Sequence, residues 1–287
     1  MTRPFVARGA SFEEALERIA RAGYRHLHFG PNDRRADGTP AVPEAATPEQ
    51  LSALANLCAR HDLAPISMFP RHGGELAADT LEAFRADVDN ARALGVRTLI
   101  MWGPWPYRQG LVVRRPRAEV RARHEAWFAA MADLAAHADG QGVLITLKPH
   151  TGLTATSWEL QDTLARINSA AVRACYDGGN VHYYEGLAPE EDIKEIAAQT
   201  AALCVKDHRG PRGHEDFPTP GDGEVDHRSM LTTLRAAGFS GPCLVELVGG
   251  STPEETEHEA RRALAHMQDI LVPPAAGGAG SGDRLRR

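Results

Sequence analysis

Apolar positions along the chain alternate between two rhythms, a period near 3.6 and short continuous runs, which predict helices and strands in turn. Ser11 to Ala22 opens on a Ser cap and carries Phe12, Ala15, Leu16 and Ile19 at helical spacing, and Gly23 stops it. Tyr24 to Phe29 reads as a strand, and Thr47-Pro48-Glu49 starts a helix that runs to His61. Leu63 to Phe69 and Val96 to Trp102 are strand-like runs flanking a helix from Asp79 to Leu94 that Gly95 ends. Ala118 to Ala138 is a long amphipathic helix and Val143 to Leu147 a strand. Thr156 to Ile167 is a helix whose Thr cap and Glu159 predict a capping box. Ala171 to Tyr176, Pro189 to Ala198, Ala201 to Val205, Asp226 to Ala237, Pro242 to Leu247 and Pro253 to Leu271 continue the alternation.

With a short first strand at Phe5 to Ala7, the pattern gives eight strand-helix units. Strict alternation with short connections implies parallel strands and right-handed crossovers, and eight such units close a (β/α)8 barrel, an α/β fold. A doubly wound open sheet is the competitor. It fits less well, because no Gly-rich turn follows the first strand and because polar residues end several strands instead of gathering at one switch point.

Composition narrows the function. At 287 residues, with 43% apolar and 24% charged, the chain has the size and make-up of one globular domain, read as residues 1–272. The stretch 273–287, PPAAGGAGSGDRLRR, is too poor in large apolar residues to fold and is predicted to be a disordered tail. The net charge of −6, from 32 basic and 38 acidic residues, argues against nucleic acid as a partner. Four scattered cysteines without a CxxC pair suggest a reducing, cytoplasmic setting, and neither a signal sequence nor a membrane span is predicted.

In a barrel the strand ends aim inward side chains at one shared cavity, so polar residues closing apolar strands mark a candidate site. Four strands end that way: VLITLKPHTG, RACYDGGNVHYYEG, LCVKDHRG and CLVELVGG. Alternation places Lys148 with His150, Cys175 with Asp177, Cys204 with Lys206, and Leu244 with Glu246 on common faces. Glu246 within an apolar run is costly unless paired, and Lys148 directly after VLITL is unusual for a surface lysine. Asp177 before Gly-Gly also suits a turn cap. Lys206, Asp207 and Arg209 open a loop long enough to act as a lid, while Trp102, Asn180 and His182 offer an aromatic wall and hydrogen bonds to substrate. Trp105 and Tyr107, the third and fifth residues of the run GPWPY after Trp102, extend that aromatic group.

The chain resembles the xylose-isomerase-like barrels of the sugar phosphate isomerase and epimerase group. The carriers are YDGGNVHYYEG, CVKDHRG and PGDGEVD with the later GPCLVEL. The resemblance implies a divalent metal, Mn, Mg, Co or Zn, held by Glu, Asp, His and Glu on the last four strands. Asp177 and Glu246 match the second and fourth of these ligands, whereas Lys148 stands at the first position and Cys204 at the third. Two readings follow. In one the Lys148 ammonium replaces the metal and stabilises an enediolate oxygen while Glu246 moves the proton and His150 assists. In the other a metal survives on Asp177 and Glu246 with help from His150, Cys204 or His182. Either implies an isomerase or epimerase acting on a small sugar or polyol by proton transfer next to a carbonyl. A dehydratase or lyase is the alternative chemistry, and a degenerate sugar-binding or partner-subunit barrel the alternative class. A homo-oligomer is compatible with all of these.

Overall fold

The computed structural model describes residues 1–104 and 116–271. The tail predicted at 273–287, together with Trp105 and Tyr107, lies outside the described residues. Helices α1 (Arg3–Val6) and α2 (Phe12–Arg21) precede β1 (His26–Phe29), after which strands and helices alternate: α3 (Pro48–Arg60), β2 (Ala64–Met68), α4 (Leu81–Ala93), β3 (Thr98–Met101), α5 (Arg117–Gln141) and β4 (Leu144–Leu147). Then follow α6 (Ser157–Ile167), β5 (Val172–Asp177), α7 (Gly178–Glu185), α8 (Pro189–Asp192), β6 (Thr200–Val205), α9 (His227–Ala236), β7 (Cys243–Val245) and α10 (Pro253–Leu271). The strands form one sheet in the order β1 to β7 with every ladder parallel, a nearly closed α/β barrel with helices outside.

Two sequence expectations need correction. Among the described residues seven strands form, not eight, because the predicted strand at Phe5 to Ala7 is helical. Pro4 sits in the first turn of α1, and Ala7 N–H donates to Arg3 O at 3.0 Å. A three-residue apolar run has too little length to display either period. The capping box lies on α3, where Thr47 and Gln50 exchange side-chain and backbone bonds. At α6 the Glu159 carboxylate accepts from the Thr156 hydroxyl itself, leaving Thr156 as a simple cap on Trp158 N–H. The predicted stops hold: Gly23 and Gly95 take φ of 103° and 73°, a region where a side chain is strained.

Packing is layered. The larger core lies between sheet and helices and includes Leu27, Phe84, Leu99, Trp127 and Met230. A smaller one, Phe69, Ile100, Cys175, Ala202, Cys204 and Leu244, fills the barrel interior. That inner layer is built of small side chains on β5 and β6, which leaves room above it for long polar ones. All four cysteines are free thiols, and among the described residues no helix is long and apolar enough to cross a membrane.

Trp127 anchors α5 with no exposed surface, yet its Nε1 has no hydrogen-bond partner. Its contribution is therefore volume. Trp127→Ala is predicted to cost about 3–5 kcal/mol and Trp127→Phe under about 2 kcal/mol, measured by urea unfolding, since the phenyl ring fills most of the space and forfeits no bond.

Candidate active site

The C-terminal ends of β4 to β7 converge because their ladders keep register: Asp177 pairs with Cys204 across β5 and β6, and Cys204 with Leu244 across β6 and β7. Hydrogen bonding continues one residue past two strands, with Lys148 N–H on Met101 O at 2.8 Å and Glu246 N–H on Val205 O at 3.1 Å. These bonds fix the backbone from which Lys148 and Glu246 point inward.

Lys148, Asp177, Lys206 and Glu246 form one buried cluster, none more than 5% exposed. Lys148 Nζ lies 2.9 Å from Asp177 Oδ2 and is bonded to Glu246 Oε2, while Lys206 Nζ lies 3.3 Å and 3.1 Å from the same two oxygens. Asp177 Oδ2 meets both ammoniums as an ion pair off the hydrogen-bond axis. Arg3 Nη1, from α1, reaches Glu246 Oε1 at 2.9 Å. Burial opposes the charge on Lys148, but the Glu246 and Asp177 carboxylates around it more than offset this and hold the ammonium well above the usual lysine range. Burial likewise opposes ionisation of Glu246, and Lys148, Lys206 and Arg3 override it and keep the carboxyl well below its usual range. Asp177 is lowered for the same reason by Lys206 and Lys148.

Asp177 serves two ends at once. Its Oδ1 caps α7 by accepting Asn180 N–H at 2.9 Å, and its Oδ2 faces the lysines. One carboxylate thus caps a helix and faces the lysine cluster at the same time.

Above the cluster opens a cavity of about 600 Å³. Lys148, His150, Lys206, Glu246, Trp102 and Asn180 line it, as the sequence suggests. His150 is sandwiched between Trp102 and Tyr184, with ring centroids at 4.9 Å and 5.6 Å. Asn180 is a strut between two strands' ends: its Nδ2 donates to Pro149 O at 2.6 Å and its Oδ1 accepts from Lys206 Nζ at 2.7 Å.

Three predicted substrate contacts sit elsewhere. Asp207 is wholly buried and its carboxylate accepts the backbone N–H groups of His208, Gly221, Gly223 and Val225, so it folds the long loop back on itself. A Cβ at Gly223 would lie 2.2 Å from that carboxylate. His182 meets His208 ring to ring at 2.9 Å, and Arg209 turns to Asp216 at 3.4 Å; neither lines the cavity. Sequence reasoning missed Arg3, Asp33, Phe69, Glu215 and Phe217, all of which do. Asp33 follows the predicted strand that ends at Phe29, and Phe69 ends another, so their places beside strand ends were the available signal. Arg3, Glu215 and Phe217 reach the cavity through long-range folding that no local pattern encodes.

A parallel barrel with a charged, aromatic-walled cavity over the C-terminal ends of its strands has the TIM-barrel architecture, with its candidate site on the face where such folds carry one. More particularly, the chain belongs to the xylose isomerase-like TIM barrel family, whose pattern matches residues 16–270. It is similar to a xylose isomerase domain protein from Planctomyces limnophilus, at 18% identity over 89% of this chain and 90% of that one, with a TM-score of 0.69. It is similar also to D-psicose 3-epimerase from Clostridium cellulolyticum H10, solved with D-tagatose, at 14% identity over 92% and 95% with a TM-score of 0.70. A third likeness is a xylose isomerase-like TIM barrel protein from Mycobacterium smegmatis in complex with magnesium, at 15% identity over 92% of both chains with a TM-score of 0.69. No curated protein matches the chain.

The metal that the family implies can be tested against the donors present. Asp177, Cys204 and Glu246 bring one ligand atom each to within 4.8 Å of one another. The space they enclose holds the Lys148 ammonium, 3.7 Å from Cys204 Sγ and in contact with both carboxylates. Burial, then the Asp177 and Glu246 carboxylates, push the Cys204 thiol well up, so beside the Lys148 ammonium it keeps its proton. Two fixed ammoniums at a dication's position repel it, and this donor set does not fit the metal.

His150 carries a pH signature. Burial, then Lys148 and Lys206, push its imidazole down to about 3 from an ordinary value near 6.5, so the folded protein holds it neutral. Below about pH 6.5 the unfolded chain binds this proton and the folded one does not, so stability falls as pH drops from 6.5 towards 3. His150→Phe keeps the ring stack and removes the titration. Its unfolding free energy is predicted to fall less than that of the unsubstituted protein between pH 6.5 and 4, by up to about 1.4 kcal/mol per pH unit.

Proposed function

We propose that the protein is a metal-independent isomerase or epimerase of a small sugar or polyol. The observation that carries the reading is the Lys148 ammonium held between Asp177 and Glu246 at the floor of the cavity. A cation at that point supplies what a metal would supply in proton transfer next to a carbonyl, namely a fixed positive charge facing the oxygen on which negative charge develops. The cavity size suits a small polyhydroxylated molecule, and Phe69, Trp102, Tyr184 and Phe217 give apolar faces for its C–H side.

In the proposed reaction the substrate carbonyl oxygen takes a hydrogen bond from Lys148. That donation loosens the Lys148 hold on Glu246 and raises the proton affinity of its carboxylate. Glu246 then removes the proton from the adjacent carbon, and the C–H electron pair moves into an enediolate whose oxygen Lys148 stabilises. Glu246 returning the proton to the former carbonyl carbon, with hydroxyl proton transfer, gives an isomer; an epimer forms when solvent water delivers a different proton to the opposite face of the first carbon and Glu246 passes its own proton back to solvent. Lys206 keeps Asp177 ionised and Asn180 fixes Lys206, so both position the acid-base pair. Arg3 at the cavity mouth neutralises the second oxygen of Glu246.

A second reading, a sugar-binding barrel without turnover, is favoured by one observation. Every charge in the cluster already has a partner, and Glu246 held well below its usual range is a weak base until a ligand displaces Lys148. The two readings separate in deuterated water with a panel of unphosphorylated ketoses that includes D-fructose, D-psicose and D-tagatose. The predicted result is solvent deuterium in the recovered sugar, unchanged by chelator, with kcat/KM lowered at least about a thousandfold in Lys148→Met and in Glu246→Gln. Activity lost to chelator and restored by magnesium or manganese would overturn metal independence. Binding of a sugar without exchange would establish the second reading, and release of water with the label would make the protein a dehydratase.

A further inference from the structure

Asp33, in the segment after β1, carries a carboxylate that the lysine cluster does not use. It is 3% exposed, yet it lines the cavity above the strands together with Lys148 and Glu246. Two donors reach it: Gly30 N–H at 2.8 Å from Oδ2, and the Thr2 hydroxyl at 2.8 Å from both oxygens. A hydroxyl has one proton, so these donors fill two of roughly four lone-pair positions. Among the described residues no cation forms an ion pair with Asp33, in contrast with Asp177 and Glu246.

The same residue borders a second, smaller cavity of about 10 Å³, room for one water. Arg71 and Asp87 also line it, and the buried Nε of Arg71 has no partner. Tying the turn at Gly30 accounts for one bond to Asp33 and not for its place between two cavities. Burial pushes its carboxyl up to about 6, against the pull of Thr2, Gly30, the Met1 amine and Arg34. At neutral pH it is therefore an ion whose protonated form is within easy reach, as a group that both takes and gives a proton must be.

We propose that Asp33 moves the hydroxyl proton of the isomerisation, from the hydroxyl beside the reacting carbon to the former carbonyl oxygen. The inference rests on Glu246 as the carbon base, and it makes the protein an aldose-ketose isomerase. Once Glu246 has formed the enediolate, Asp33 takes the proton of the neighbouring hydroxyl, and the electron pair left on that oxygen forms the new carbonyl. The C=C pair then accepts the Glu246 proton at the former carbonyl carbon, and the former carbonyl oxygen receives the proton held by Asp33. Both carboxylates end as they began, and no external oxidant or reductant takes part. The two substrate oxygens are vicinal, within the span of one carboxylate.

The test follows the unsubstituted protein and Asp33→Asn in deuterated water with D-fructose, D-psicose and D-tagatose, measuring deuterium in the recovered ketose and the aldose formed. Asn cannot take up the proton, whereas Glu246 and Lys148 are untouched. Asp33→Asn is expected to keep carbon exchange within about threefold and to lose aldose formation at least about a hundredfold. Aldose formation that survives overturns the proposal and leaves Glu246 as the base. Exchange lost along with the aldose makes Asp33 a structural residue and also overturns it. So does an epimer as the sole product, because epimerisation moves no hydroxyl proton. Absence of exchange by the unsubstituted protein with all three ketoses overturns the Glu246 reading, and this proposal with it.

Should Asp33→Asn fail to fold, the pH dependence of the unsubstituted protein decides. The ratio of aldose formed to deuterium exchanged is expected to fall about tenfold per pH unit below about 6, as Asp33 is protonated while Glu246 stays ionised. Thr2→Val removes a bond that lowers Asp33 and is expected to move this fall upward by about one pH unit. A flat ratio, or a fall that Thr2→Val leaves in place, overturns the proposal.

Discussion

Two carboxylates closed inside a barrel must be neutralised, and the rest of the site follows from how that is done. Asp177 and Glu246 are almost entirely removed from water, where an isolated carboxylate is untenable. Their neutralisation comes from Lys148 and Lys206, with Arg3 on the outer oxygen of Glu246. Removing one partner of such a buried set typically costs about 3–5 kcal/mol, so the four side chains stand or fall together. Small inner residues, Cys175, Ala202 and Cys204, provide the space in which the two long lysine side chains extend.

This arrangement has a different balance from a centre built around the divalent metal that the family resemblance implies. An ammonium carries one charge where a metal carries two, and it donates protons where a metal accepts lone pairs. With Lys148 in the centre, Cys204 keeps its thiol proton beside the ammonium. The substrate would exchange one partner of Lys148 for another, and the base would become stronger only as that exchange occurs. The loop after β6 is drawn over the site by Asp207, whose carboxylate gathers four backbone N–H groups and so shapes the wall that brings Phe217 and Glu215 to the cavity.

Much of this was legible in the residue order, for a physical reason. Strands buried on both faces read as short apolar runs, and a charged residue ending such a run has few places to go except the shared cavity. Lys148, Asp177, Lys206 and Glu246 all declared themselves in this way. Asp207 gave the same signal with a different outcome, because whether a buried carboxylate turns to a cation or to backbone N–H groups depends on the path of a loop 14 to 18 residues away in the chain. The helix at Arg3–Val6 was hidden by its length, and the contact of Arg3 with Glu246 spans 243 positions, beyond the reach of any local pattern.

The most direct measurement of the central claim is diffraction from crystals soaked in manganese, with anomalous maps calculated at the cluster. An ammonium that takes the metal's place predicts no anomalous peak there and clear density for Lys148 Nζ within about 3 Å of both Asp177 and Glu246. An anomalous peak bridging the two carboxylates, with Lys148 swung away from them, would contradict it.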